Sequence, residues 1–257
     1  MSTYKHSGTM GDIIYALPVV KATGGGKFYL HMNQINWVAA HYYKARPWPY
    51  HEGKMDDKDF DFMKDFMLDQ SYITAFEKLD TKTHEISHNL DRFRTVFNGP
   101  PHNYVNCFAT TFRIPQDQWT DLRNTQWITT TPLTVAGRDI CVSRTDRYIP
   151  QPGQQSAKWN EWKNTGWDDR AFFLGKPEEY ELFKQITGWT SIQYQPIKSL
   201  KEMAGYIAGA TEFIGNQSVG LSLAFGLGRT LWMESRPDIP LENNECYFPD
   251  RSGATYF

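Results

Sequence analysis

The chain has 257 residues, 40% of them hydrophobic and 22% charged, with a formal net charge of −2. That length suits one large domain or two of about 100–150 residues each, and the composition is that of a folded protein rather than a disordered one. The charge balance argues against a nucleic-acid binder that works mainly by neutralising phosphates, and no apolar run approaches the ~20 residues of a bilayer span.

The three cysteines, Cys107, Cys141 and Cys246, form neither a CxxC pair nor a metal-ligand spacing. Reduced thiols in a cytoplasmic protein are the expectation. The opening MSTYKHSGTMGD has no apolar core of a secretion signal. Aromatic content is high at 15%, with nine tryptophans, which suits core packing or stacking on sugars.

In chain order, Thr3 to His6 reads as a short strand and Ser7 to Gly11 as a glycine-rich turn. Asp12 opens an apolar helix, DIIYALPVVKA, and Lys27 to His31 is a second strand, so the start of the chain is a βαβ unit. Residues 46–102 receive no firm assignment, although Asp56 to Asp69 alternates acids with Phe and Met as a surface helix would. Within them, His84 and His88 fit H-E-x-x-H literally. Two histidines at i, i+4 on a helix are half a zinc site, but a zincin needs a third ligand and a long helix, the flanks LDTKT and NLDRF are ordinary, and the α/β pattern supplies no protease framework. Structural or solvated histidines are the preferred reading, and a metalloprotease the weakest alternative.

Asn103 to Ile114 reads as a helix that stops before Pro115, and Trp127 to Gly137 as an extended connector. From Ile140 strands and helices alternate: strands at DICVSR, AFFLG, SIQYQPI, EFIGN and RTLWMES, and helices opening at Pro177, Ser199 and Ser218. Pro177 stands early in its helix with acids behind it, and Ser199 with Glu202 makes a capping box. Trp159, Trp162 and Trp167 are assigned to packing in preference to sugar stacking. The pattern predicts an α/β protein with two Rossmann-like domains, residues 1–137 and 138–257, facing a cleft.

The candidate site residues lie at strand ends. Gly8, Thr9, Met10 and Gly11 form the first turn, and Gly215, Asn216, Gln217 and Ser218 a second, each leading into a helix. A helix N-terminus offers free N–H groups and a positive field, which suit an anion or a sugar hydroxyl; simple helix capping is the alternative. Arg144 and Arg147 follow the first strand of the second half, and their planar forks match phosphate oxygens. Glu234 ends the last strand, where it would meet ribose hydroxyls or solvent, and Gly175, Lys176 and Glu178 occupy another strand-to-helix turn.

GTMGDIIYALPVVKA resembles the N-terminal Gly-Asp-x-x-x-x-x-Pro motif of the family 9 glycosyltransferases, the ADP-heptose:lipopolysaccharide heptosyltransferase-like group. FIGNQSVGLSLAFGLG is similar to that family's Asn-Asp-Ser-Gly-Pro-x-His-x-Ala-x-x-x-Gly motif, and FFLGKPEEYELF resembles its Gly-x-x-x-Glu segment. The chain departs from the pattern with Gln217 for Asp, Val219 and Gly220 for Gly-Pro, and Ser222 for His. The resemblance implies a GT-B-like fold, with a nucleotide-sugar donor on the second half and an acceptor on the first. It implies Asp12 as general base on the acceptor hydroxyl, with inversion and without a metal. Arg144, Arg147 and the helix start at Ser218 would then steady the leaving diphosphate. No cofactor beyond the nucleotide-sugar co-substrate is expected. The acceptor stays open among a glycan, a small molecule, a protein and a modified nucleobase, and oligomeric state is not read. The departures favour a second reading, a non-catalytic nucleotide or nucleotide-sugar binding protein on the same fold.

Overall fold

The computed structural model describes residues 1–33, 55–95, 104–115, 117–118, 125–145, 156–235 and 253–257. Its first half runs β1 (Ser2–His6), α1 (Met10–Ala22), β2 (Gly26–Leu30), α2 (Asp57–Leu68), β3 (Ile73–Lys78), β4 (His88–Asn89), a 3-10 turn (Leu90–Thr95) and α3 (Tyr104–Thr111). The strands lie parallel in the order β3-β2-β1-β4. The second half runs β5 (Ile140–Ser143), α4 (Lys158–Asn164), α5 (Trp167–Arg170), β6 (Ala171–Phe173), α6 (Pro177–Thr187), β7 (Gln193–Tyr194), α7 (Leu200–Gly209), β8 (Glu212–Gly215), α8 (Val219–Gly226), β9 (Thr230–Met233) and β10 (Ala254–Tyr256). These strands form a second parallel sheet, β10-β9-β8-β5-β6-β7. The α/β class with two parallel sheets is therefore as the sequence predicts.

Two helices without a polar face hold the halves together. In α1, Ile13, Ile14, Leu17, Val19 and Val20 are all buried, as are Leu221, Leu223 and Phe225 of α8. A helix apolar all round must be covered on every side, and α1 and α8 cover each other. Each such side chain contributes about 1.5–3 kcal/mol on burial, and one apolar core runs through both halves. Beside this seam α2 packs on α7, with Lys201 Nζ 2.8 Å from Asp69 Oδ2. The connector follows the second half closely. The N–H groups of Trp127 and Ile128 both donate to Gly226 O at 3.0 Å, and Leu133 N–H donates to Gly205 O at 2.9 Å. A Cβ on Gly209 would lie 1.9 Å from Leu133 O, so only glycine lets the connector lie this flat on α7.

The unassigned section contains real elements. Asp56 caps α2, its Oδ1 accepting from Asp59 N at 2.9 Å while Asp59 Oδ2 accepts from Asp56 N at 3.1 Å. Phe60, Met63, Phe66 and Met67 then bury one face. The H-E-x-x-H reading is overturned. His84 follows a turn and His88 lies in β4, so no helix brings them to one metal; His84 stacks on Tyr29 at 4.2 Å and His88 on Tyr4 at 4.9 Å. The strand expected over SIQYQPI shortens to Gln193–Tyr194, because Pro196 has no N–H to give a ladder. Trp159 and Trp162 are core residues with Phe183 and Trp189, and Trp167 stacks on Trp162 at 5.1 Å. Cys107 and Cys141 are buried outside any disulfide among the described residues, Cys246 lies beyond those residues, and no helix among them is long and apolar enough to cross a membrane.

Candidate active site

The first half presents the turn between β1 and α1. Thr9 is the N-cap of α1, and its N–H donates to Asp12 Oδ2 at 3.3 Å. Asp12 thus sits in the first turn, at the positive end of the helix, and is 8% exposed. Gly8 N–H donates to His6 Nδ1 at 2.8 Å. A Cβ on Gly8 would lie 2.5 Å from His6 Cε1 and 2.7 Å from Asp12 Oδ2, so Gly8 serves close approach; neither Gly8 nor Gly11 takes a positive φ. Gly11 lies inside α1, where an added Cβ would be 3.9 Å from Ser222 Oγ of α8. Thr9 and Met10 are half-buried beside it.

Asp91, which has no counterpart among the residues picked out by sequence, braces this turn. It accepts from Ser7 N at 2.9 Å, pairs with Lys5 Nζ at 2.9 Å and lies 3.5 Å from His6 Nδ1. Burial pushes its carboxyl up, but His6, Lys5 and the Ser7 N–H outweigh burial and hold it below the usual carboxylate range. Alongside, Lys5, His31, Leu79, Thr81, His84 and Asn89 line a cavity of about 420 Å³. Lys5 and Asn89 lie in β1 and β4, and His31 and Leu79 directly follow β2 and β3, so the cavity opens at the carboxyl edge of the sheet. Ligands of open α/β sheets bind at that edge, where strand order reverses, and here it reverses between β1 and β4.

In the second half, Arg144, Asn216 and Glu234 follow β5, β8 and β9. Arg144 and Glu234 form a buried ion pair, 3% and 5% exposed. Arg144 Nε donates to Glu234 Oε2, Nη2 donates to Oε1 at 3.2 Å, and Trp159 Nε1 donates to Oε1 at 3.0 Å. The fork of Arg144 is thus occupied by a carboxylate. Asn216 works on the backbone: its Oδ1 accepts from Thr145 N at 3.0 Å and its Nδ2 donates to Thr145 O at 2.8 Å. It pins the loop that leads to Arg147, which itself lies outside the described residues. Gly215 O accepts from Glu234 N at 2.8 Å, and a Cβ on Gly215 would lie 2.5 Å from Ser143 O. Gln217 is half-buried, and Ser218 is the N-cap of α8 with a buried Oγ that has no hydrogen-bond partner. At the remaining turn Lys176 N–H donates to Glu179 Oε2 at 2.9 Å and Gly175 O accepts from Tyr194 Oη at 3.1 Å, which is ordinary helix-start chemistry.

The contact of α1 with α8 joins the two edges. Gly11 faces Ser222, so the first turns of both helices converge, with Asp12 on one and Ser218 on the other. No protein-family model matches the sequence, nor does a curated protein. Solved structures do match. A family 9 glycosyl transferase from Veillonella parvula aligns over 99% of this chain and 84% of its own, at a TM-score of 0.50 and 11% identity. The E. coli heptosyltransferase WaaC, solved with ADP, aligns over 99% of this chain and 92% of its own, at 0.50 and 14%. The chain has a GT-B-type glycosyltransferase fold. At such identities the likeness speaks for the fold alone. Ligands of open α/β sheets bind at the carboxyl edges of the strands, and the described candidates on both halves lie at those edges or at the first turns of α1 and α8.

Proposed function

We propose that the protein moves a sugar from a nucleotide-sugar donor to an acceptor hydroxyl. Asp12 takes the acceptor proton as the oxygen attacks the anomeric carbon, the nucleoside diphosphate leaves from the opposite face, and the centre inverts. The acceptor belongs to the first half, beside the cavity of Lys5, His31 and Asn89. The diphosphate belongs to the second half, at the N-terminus of α8, where backbone N–H groups and the Ser218 hydroxyl meet its charge. Arg147, outside the described residues, supplies a cation, while Arg144 acts through the loop it anchors to Glu234. On this reading helix ends and arginine, rather than a divalent ion, carry leaving-group stabilisation.

The observation that supports this reading is the convergence of the first turns of α1 and α8, where Gly11 meets Ser222. A base on one half and a phosphate-binding helix end on the other then border one reaction volume. The test is a thermal-shift panel of nucleoside diphosphates and nucleotide sugars, followed by diphosphate release from the donor that binds. A ligand specific to the folded state raises its melting temperature, by about 2.7 kcal/mol of stabilisation at a hundredfold excess over Kd. Asp12→Asn is expected to keep binding and lose at least a hundredfold in turnover. Unchanged turnover would remove Asp12 as base. The occupation of Arg144 by Glu234 favours a second reading, nucleotide-sugar binding without transfer; binding without any release by the wild type would select it.

A further inference from the structure

Tyr15 stands three residues after Asp12 on α1, and residues so spaced share a helix face. Long side chains on a helix lean toward its N-terminus, which carries the phenol back toward Asp12. The ring is fixed on both sides, stacked on Tyr104 at 5.7 Å and tilted against Phe225 of α8 at 6.4 Å. Tyr15 is 5% exposed, and its hydroxyl has no hydrogen-bond partner. Two other phenols have partners: Tyr4 Oη lies 2.7 Å from Thr23 Oγ1, and Tyr72 Oη donates to Trp127 O at 2.7 Å. Burial first, then Tyr104, Tyr256 and Asp12, push the Tyr15 phenol well above its ordinary range, so it stays a protonated donor. A buried donor without an acceptor is unfavourable, and phenylalanine would fill the same place without that penalty. Such an orphan, beside the carboxylate assigned as base, calls for an oxygen that arrives with a ligand.

We propose that the Tyr15 hydroxyl donates a hydrogen bond to an oxygen of the sugar carried by the bound nucleotide sugar. This rests on the proposed function, in which the sugar must lie between the helix end at Ser218 and the carboxylate of Asp12, at the seam that Tyr15 occupies. The ligand group is a sugar hydroxyl or ring oxygen, which a bare nucleoside diphosphate lacks at that place. Tyr15 therefore reads the transferred sugar and ignores the nucleotide.

The experiment compares wild type with Tyr15→Phe, full-length, against UDP and UDP-glucose, GDP and GDP-mannose, and ADP and ADP-glucose. Ligand-free Tyr15→Phe is expected to melt at or above the wild-type temperature. Its affinity for the matching diphosphate stays within twofold, and its affinity for the corresponding nucleotide sugar falls about tenfold, the usual worth of one such hydrogen bond. Equal loss for both ligands, no loss for either, or a lower ligand-free melting temperature would each overturn the assignment of Tyr15 while leaving donor binding intact. If none of these ligands binds the wild type, the donor reading fails and this inference with it.

Discussion

Glu234→Ala probes the buried pair at the carboxyl edge of the second sheet. The two side chains are 2% and 3% exposed, so losing the carboxylate leaves the Arg144 charge in the protein interior. Breaking a buried pair by removing one partner costs about 3–5 kcal/mol. The Trp159 N–H, which also donates to Glu234, loses its acceptor and adds roughly 1 kcal/mol. The sum, about 4–6 kcal/mol, compares with about 5–15 kcal/mol for a typical domain, and corresponds to a drop in Tm of roughly 10–20 °C. Urea denaturation followed by tryptophan fluorescence reads it directly. The double variant Arg144→Met with Glu234→Leu removes both charges and keeps volume; it should recover to within about 2 kcal/mol of wild type. A cost below about 1 kcal/mol for Glu234→Ala would refute the reasoning, because it would mean that water reaches Arg144. Arg144→Ala is expected to lower Tm without any ligand, so a phosphate contact must be judged from the ligand-induced increment alone.

Gly8→Ala and Gly11→Ala should part company: the first drives a methyl into His6 and Asp12 and lowers turnover at least tenfold by moving the base, whereas the second has room beside Ser222 and gains up to about 1 kcal/mol of helix propensity. Equal behaviour in melting and release assays would count against the close packing at Gly8. Asp91 has a lowered pKa in the folded state, so its contribution is present above the unfolded value of about 3.9 and is lost as pH falls through the folded value below it. Asp91→Asn should therefore cost about 1–2 kcal/mol at pH 7 and flatten the decline in stability below about pH 4, which parallel curves in acid titration would contradict. Zinc and EDTA are expected to leave Tm unchanged, since His84 and His88 stack on different tyrosines; a shift of several degrees with zinc would reopen that pair.

Local chemistry made much of this fold readable. Ser199 ahead of Glu202, Pro177 ahead of two acids and the glycines around Thr9 each mark a helix start through interactions within a few residues, and the helices begin there. The alternation of acids with Phe and Met from Asp56 to Asp69 was read as a surface helix, and α2 lies there, its start marked by the capping pair Asp56 and Asp59. β4 had no local signal: it is two residues long, and the segment before it is tied to β1 by hydrogen bonds from Thr3 to Glu85 and Ser87. The same division applies to the site. Asp12 and Ser218 could be found because helix starts announce themselves. The partner of Arg144 lies 90 residues away, just past a strand separated from β5 by β8, and only the sheet order brings the two together. Tyr15 was concealed in the most apolar helix of the first half, where a phenol passes for one more core aromatic.

The connector laid on α7 bears on how the chain would respond to being cut. The change of pattern near residue 137 makes that point the natural place to divide it. Yet Trp127, Ile128 and Leu133, all upstream of that point, are hydrogen-bonded to Gly226 and Gly205, and severing the halves uncovers the faces of α1 and α8. A fragment ending at 137 would carry away a strap that belongs to the other piece and display a bare stripe of isoleucine, leucine and valine. Neither fragment is then expected to stay in solution alone, while the two co-expressed should reassemble. In engineering terms the halves are two sheets but one part.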